Sequence, residues 1–162
     1  MLNKILIGLV VLFIIIQFIR PEKNISSEPS PSHISAHYAT PQEVKSILDK
    51  SCNDCHSNNT RYPWYASVQP LAWWLNDHVE DGKEEINFDE FMTLPPKKAH
   101  HKMEEVGEMV QEDEMPLKSY RLIHRSAELS PQEKTVLTSW AQSTMKTIEQ
   151  ENNLDLKEDG GK

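Results

Sequence analysis

Hydrophobic residues fill the N-terminal segment of the chain and then recur at helical spacing. An unbroken apolar run occupies residues 5–16 within the segment Leu2–Ile19. A helix over the whole segment would reach about 27 Å, with Lys4 and Arg20 extending to the membrane interfaces at its ends. The residues after the run do not supply the small side chains of a signal-peptide cleavage site. The pattern therefore predicts an uncleaved transmembrane anchor over residues 1–20, in preference to a cleaved secretory signal.

Apolar residues three and four positions apart indicate that the rest of the chain is helical. The predicted helices cover 41–51, 70–80, 97–111 and 131–148. Thr40–Glu43 and Ser130–Glu133 have the form of capping boxes with proline at the first helical position. Gly82 is placed to end the second helix, and Asn87 to begin a further short one. Because no strand pattern stands out, the predicted fold class is all-α.

Composition divides the chain into four segments. After the predicted anchor, residues 21–39 are rich in serine, proline and glutamate and lack periodic apolar positions, which predicts a flexible linker. Residues 40–149 carry the helical patterns and form the predicted folded domain. Residues 150–162 are polar and acidic, with two adjacent glycines near the end, and are predicted to be a disordered tail.

The charge balance limits the possible partners. The formal net charge is −8, and a protein that binds nucleic acid needs a basic face for the phosphates, so nucleic acid is not an expected partner. Acidic residues are concentrated in the stretches Glu80–Glu90 and Glu104–Glu114. Such stretches steer a basic-faced partner protein at low salt.

The strongest chemical signal is the pentapeptide Cys52-Asn53-Asp54-Cys55-His56. Two cysteines two residues apart, followed directly by histidine, form the arrangement that attaches haem c. Each thiol can add to one vinyl group of the porphyrin, and the histidine can then ligate the iron. These are the two cysteines of the chain. The motif therefore predicts one covalent haem c with His56 as an axial ligand.

Three other uses of the cysteine pair are open. A zinc site needs about four ligands, and the adjacent pair His100 and His101 would diverge on a predicted helix. A thioredoxin-like redox pair is expected beside a βαβ pattern, which the sequence lacks. In an oxidising compartment the two thiols could instead form a disulfide in a protein without haem.

The second axial position of the iron decides the chemistry of a haem protein. Met115 is the first candidate, because it lies outside any helical pattern and is followed by Pro116. His78 is the alternative ligand, because helical spacing places it on the same inward face as Trp74. Further histidine candidates are His100, His101 and His124. Three other methionines fit helical stripes and are predicted to fill the core: Met92, Met103 and Met109.

Residues near the motif are predicted to contact the haem. The rings of Trp64 and Trp74 would shield it from water, and Arg61 would bind a propionate. A backbone carbonyl near Pro63 or Pro70 is expected to accept the proton on the second nitrogen of His56.

The order helix, CxxCH, long middle region, Met-Pro and final helix resembles the class I cytochromes c. The chain more closely resembles a bacterial family of haem-binding domain proteins, which are small secreted or membrane-anchored modules. The matching stretches are CNDCHSNNTRYPWY, WWLNDHVEDGKEEINFDEF, EMPLKSYRLIH and LSPQEKTVLTSWA. The resemblance implies a class I cytochrome c-like fold with one haem and an electron-transfer role, and it supplies no defined substrate. It also implies attachment outside the cytoplasm, hence a single-pass inner-membrane protein with a periplasmic haem domain.

Three functions are compatible with these residues. The favoured one is a membrane-anchored electron carrier of the cell envelope, which is not an enzyme and whose redox partner is a basic-faced protein. The alternative is a peroxidase-like or gas-sensing module with a labile sixth ligand, in which His78 is the candidate acid–base residue. The third is a binding module in which the cysteines form a disulfide and no haem is bound.

Overall fold

The computed structural model describes residues 1–154, which contain seven α-helices and no β-strand. The helices are α1 Leu2–Ile16, α2 Gln42–Ser51, α3 Asn53–His56, α4 Leu71–Glu85, α5 Pro96–Gln111, α6 Lys118–Ile123 and α7 Pro131–Asn152. Short 3₁₀ helices lie at Ile34–Ala36, Trp64–Ser67, Phe91–Thr93 and Arg125–Ala127. The predicted all-α class is confirmed.

Helices α5 and α7 form the main packed pair of the domain, and their apolar faces supply much of the core. Met103 of α5 and Leu137 and Ile148 of α7 are fully buried there. Helix α2 adds Val44, Ile47 and Leu48, the three positions that helical spacing predicts to face inward. The end of α2 therefore packs on this core, and Cys52, the first residue of the cysteine motif, packs there as well.

The N-terminal helix differs from its prediction. Helix α1 ends at Ile16, so its 15 residues span about 22 Å, short of a hydrocarbon core of about 30 Å. Beyond it the chain turns towards the domain, where Gln69 Nε2 and Trp73 Nε1 both donate to the Ile19 carbonyl. No helix within residues 1–154 is long and apolar enough to cross a membrane. The predicted single-pass inner-membrane location, with a periplasmic haem domain, is therefore wrong.

The segment predicted as a flexible linker contributes to the folded unit. Ile34 and Tyr38 are buried in the core, and the Ile34 N–H donates to the Phe88 carbonyl. Asn24 donates to the Ser57 carbonyl and to Thr60 Oγ1. Composition alone does not reveal these contacts, because each of them depends on a partner far along the chain.

Two predicted capping boxes have different outcomes. At α7, Ser130 Oγ accepts from the Glu133 N–H while the Glu133 side chain accepts from the Ser130 N–H, as predicted. At α2 the helix begins after Pro41, and Thr40 Oγ1 donates to the Tyr38 carbonyl instead. Helix α7 also continues to Asn152, beyond the predicted domain limit at residue 149. The predicted disordered tail lies, from residue 155 onwards, outside the described residues.

Candidate functional site

The cysteine motif consists of Cys52, which joins α2 to α3, and the four residues of α3. The Cys52 N–H closes α2 by donating to the Leu48 carbonyl, and the Cys55 and His56 N–H groups both donate to the Cys52 carbonyl. The two cysteines are free thiols. Burial raises the pKa of Cys52 to about 12 and that of Cys55 to about 11. Both thiols are therefore neutral at pH 7, unlike the low-pKa thiolates of redox-active cysteine pairs.

His56 is held by two backbone carbonyls at the end of α4. Its Nδ1 lies 2.8 Å from the Gly82 oxygen and 3.0 Å from the Ile86 oxygen. A carbonyl can only accept, so Nδ1 carries the hydrogen and Nε2 presents the lone pair. Burial lowers the pKa of His56, which keeps the imidazole neutral. The acceptors are therefore not the carbonyls near Pro63 or Pro70 that the sequence suggests.

Gly82 lets α4 approach the motif closely. The helix passes through this residue and ends at Glu85, so the prediction that Gly82 caps the helix is wrong. A Cβ atom at position 82 would lie 2.8 Å from the Cys55 carbonyl oxygen and 3.0 Å from the Cys55 Cβ. Contacts this short force the backbone to shift. The absence of a side chain thus places the Gly82 carbonyl within reach of His56.

The motif opens onto a cleft made of two adjoining cavities, of about 210 and 260 Å³. Taken together they are as large as typical sites for ligands and cofactors, ~300–1,000 Å³. Both cavities are lined by Cys52, His56, Glu85 and Met115. Among the other residues of the first cavity are Leu48, Phe88, Val106, Met109, Val110 and Leu137. Among those of the second are Cys55, His78, Gly82, Pro116, Leu117 and Tyr120.

The structure brings the candidate second ligand into the cleft with His56. Met115 follows α5 in a loop, where its N–H donates to the Met109 carbonyl at 3.1 Å, and its side chain lines both cavities. His78 lines the second cavity only, with its Nδ1 2.9 Å from the Trp74 carbonyl. The same tautomer argument leaves Nε2 of His78 as the nitrogen with the lone pair.

The other predicted haem contacts lie outside the cleft. The Arg61 side chain is 65% exposed, with its Nε donating to Asp54 Oδ1 at 2.9 Å. Trp64 is 81% exposed. Trp74 packs its ring against His78, with the ring centroids 4.3 Å apart, and does not line either cavity.

The remaining histidine and methionine candidates are also placed. His100 pairs with Glu149 at 2.7 Å, and the exposed His101 lies near Glu104 and Glu105. His124 stacks on Tyr120 with the ring centroids 4.2 Å apart. Met92 and Met103 pack in the core, whereas Met109 lines the first cavity. Within residues 1–154 no cluster of three or more histidine, cysteine or acidic side chains could hold a metal ion.

Sequence patterns do not mark Tyr120 and Lys102, two residues of the cleft with chemically active side chains. Tyr120 lines the second cavity, and its hydroxyl donates to Asp54 Oδ2 at 2.6 Å. Burial and this hydrogen bond raise the pKa of Tyr120 far above its ordinary value. Its position five residues after Met115 is the one signal that could have marked it.

Lys102 is the second such residue and is the cation that lines the first cavity. Its Nζ is 2.8 Å from Glu85 and 2.7 Å from Glu105. Burial alone would lower the pKa of Lys102, but the hydrogen bonds to these two carboxylates outweigh it and raise the pKa. Lys102 is not evident from the sequence, because it is one of many charged residues of α5. A helical pattern assigns charged positions to the solvent-exposed face.

The donor set suits a haem. The cleft is lined by two neutral thiols, a neutral imidazole that presents Nε2 and a thioether, and its remaining walls are mostly apolar. The fold and cleft thus define an all-helical protein with a site of haem type.

Comparison with known families agrees with this class. A family model described as a haem-binding domain matches residues 11–143. The chain belongs to this haem-binding domain family. No curated protein and no solved structure matches it.

Proposed function

We propose that this protein binds one haem c covalently through Cys52 and Cys55 and transfers single electrons, without being an enzyme. His56 and Met115 are the proposed axial ligands, in a domain organised like a class I cytochrome c. One observation carries the proposal: Cys52, His56 and Met115 line the same two cavities, with Cys55 in the second of them.

Each side chain of the cleft has a distinct part in this proposal. Hydrogen bonds from Nδ1 to Gly82 and Ile86 orient His56 and keep its Nε2 available as a ligand. Met115 supplies a thioether, which favours ferrous iron over ferric iron. Leu48, Val106 and their apolar neighbours keep water out of the cleft. When bound, haem supplies a one-electron iron couple.

Lys102 replaces Arg61 as the candidate partner of a haem propionate. The Arg61 guanidinium is engaged by Asp54 and by the Asp49 carbonyl, and it does not line the cleft. Lys102 does line the cleft, and only 12% of its side chain is exposed. A propionate could therefore take the place of one of its two carboxylate partners.

Covalent attachment is tested by making the protein in cells that contain a cytochrome c maturation system. A pyridine haemochrome spectrum of the denatured protein should be that of two thioether bonds, with one haem per chain. In the double variant Cys52→Ser with Cys55→Ser, no haem should remain after denaturation. Haem extracted into acidified organic solvent from the unaltered protein would contradict the proposal, and so would a protein that lacks haem and forms a disulfide.

A haem-dependent peroxidase-like or gas-sensing role is the second candidate function. It is favoured by His78, which lines the second cavity beside Met115 and Tyr120 and is a possible acid–base group. Carbon monoxide separates the two functions, because it binds ferrous iron only where the sixth position is open or weakly held. Slow or no binding to the reduced protein supports the electron carrier. Prompt binding, with peroxide turnover that is lost in His78→Gln, supports the second function.

A further inference from the structure

The segment after Met115 has a charge opposite to that of the whole protein. Residues 115–127 include Lys118, Arg121 and Arg125 and contain no aspartate or glutamate, in a chain of formal net charge −8. The cationic stretch begins three residues after the proposed ligand. Such a local reversal creates a positive field at one place on an acidic molecule.

Helix α6 separates this cationic surface from the cleft. On the inner side of the helix, Leu117 and Tyr120 line the second cavity. On the outer side, a shallow surface depression is lined by Lys118, Arg121, Leu122, Arg125 and Glu128. One short helix therefore lies between the proposed haem and solvent at this surface.

Large apolar side chains are exposed at the end of α6. Leu122, which lines the depression, is 78% exposed, and the adjacent Ile123 is 56% exposed. An exposed aliphatic side chain among three cations and one carboxylate, Glu128, resembles the apolar centre and polar rim of a protein interface. Arg121 is partly neutralised by Asp113 at 3.7 Å, whereas the exposed Lys118 and Arg125 have no ion-pair partner within 4 Å in the described residues.

We propose that the outer surface of α6 is the docking site for an acidic-faced redox partner protein. The proposal rests on the electron-transfer function proposed above. Carboxylates of the partner would meet Lys118 and Arg125, and an apolar patch of the partner would cover Leu122 and Ile123. Charge attraction increases the encounter rate, and the apolar contact holds the partner where only α6 separates it from the haem. The partner predicted from the acidic stretches is instead basic, so the two proposals give opposite results.

Charge reversal at the two exposed cations tests the site. The double variant K118E/R125E and the control K45E/K146E each change the formal net charge from −8 to −12, because each replacement changes the charge by two. All four side chains are exposed, and the two control residues lie on α2 and α7. Oxidation of the ferrous haem protein is followed by stopped flow with two reagents of opposite charge, hexacyanoferrate(III) and tris(phenanthroline)cobalt(III).

At low ionic strength we expect K118E/R125E to slow oxidation by the anionic reagent about threefold to tenfold and to accelerate oxidation by the cationic one. The control should change each rate less than about twofold, and added salt should remove the differences. Equal changes in both variants would overturn the docking site, because they would report net charge alone. A sample without a covalent haem spectrum, or one whose ferrous haem neither reagent oxidises, would instead overturn the proposed function.

An acidic polypeptide tests the surface directly. Poly-L-glutamate added to the ¹⁵N-labelled ferrous protein should shift amide resonances within residues 117–127, and K118E/R125E should abolish those shifts. Poly-L-lysine is the probe for the opposite charge. Shifts on α4 and α5 with poly-L-lysine, together with none on α6 with poly-L-glutamate, would overturn the proposal in favour of a basic partner.

Discussion

The two sides of the cleft are built in different ways. On the α4 side, His56 has both its orientation and its tautomer set by the Gly82 and Ile86 carbonyls, and Gly82 packs directly on Cys55. On the other side, Met115 lies in a loop, where the N–H groups of Glu114 and Met115 both donate to the Met109 carbonyl. The imidazole is therefore fixed by its surroundings, whereas the position of the thioether depends on the path of a loop.

The largest expected effect is on the α4 side. Gly82→Ala puts a Cβ within 2.8 Å of the Cys55 carbonyl oxygen, and overpacking of this kind costs ~1–3 kcal/mol of stability. We expect a lower urea midpoint and a lower yield of haem-loaded protein. Gly107→Ala is the matched control, because its Cβ would meet Ala141 and Thr138 at an ordinary 3.9 Å. A helical Gly-to-Ala change without a clash stabilises by up to ~1 kcal/mol, so equal losses in both variants would contradict the close-packing argument.

The second prediction concerns the loop side. Met115→Ala should retain covalent haem but lose the near-infrared methionine-to-iron band of the oxidised protein, and the reduction potential should fall. Met109→Ala is the control, since Met109 lines the same cavity as Met115 without being a proposed ligand. The measurements are the near-infrared spectrum and a potentiometric titration. A band that persists in Met115→Ala and disappears in Met109→Ala would transfer the ligand role to Met109.

The same difference explains what the sequence can predict about the site. Cys52, Cys55 and His56 are recognisable because the chemistry of the motif is local, and α5 and α7 because their apolar stripes are long and regular. The acceptors of His56 are backbone carbonyls, which every residue carries, so residue identity does not mark them. The local rule for helix ends predicts that Gly82 is a cap, but its actual role depends on Cys55, 27 positions earlier.

Side-chain direction in loops is the other limit. Arg61 and Trp64 are close to the motif in sequence, but the path of the loop turns them to the surface. The length of α1 is a further case, because hydropathy alone extends the helix to Ile19 whereas Gln69 and Trp73 bind the backbone at that residue. For Arg61 and for the end of α1, a tertiary contact decides the outcome.

A smaller effect is expected where the two sides of the cleft meet. The Tyr120 hydroxyl donates to Asp54 at 2.6 Å. Tyr120→Phe removes this hydrogen bond between α6 and the cysteine motif. Because Asp54 keeps its ion pair with Arg61, loss of this part-buried hydrogen bond costs about 0.5–1.5 kcal/mol. Tyr65→Phe is the control, because the Tyr65 hydroxyl makes only a 3.3 Å contact, with Nε2 of His124. Urea unfolding of both variants should show the larger loss for Tyr120→Phe, and equal losses would count against the Asp54 link.

The smallest expected effect concerns the ion pair between α2, which leads into the cysteine motif, and α7. Lys50, at the end of α2, pairs with Glu133 of α7, and this hydrogen bond lowers the pKa of Glu133 below its ordinary value of 4.5. A carboxyl whose pKa is lower in the folded state adds stability above the unfolded pKa and loses it as the pH falls through the folded pKa. Glu133→Gln retains a capping acceptor for Ser130 but removes the charge.

Glu133→Gln should therefore destabilise the protein by about 0.2–1 kcal/mol at pH 7, the range for ion pairs near the protein surface. The difference from the unaltered protein should disappear as the pH falls below 4.5 and through the lower folded-state pKa. Urea unfolding at a series of pH values measures it. A difference that persists at the acid end would assign the contribution of Glu133 to the helix cap, and the ion pair to Lys50 would then have no part in holding α2 and its cysteine motif against α7.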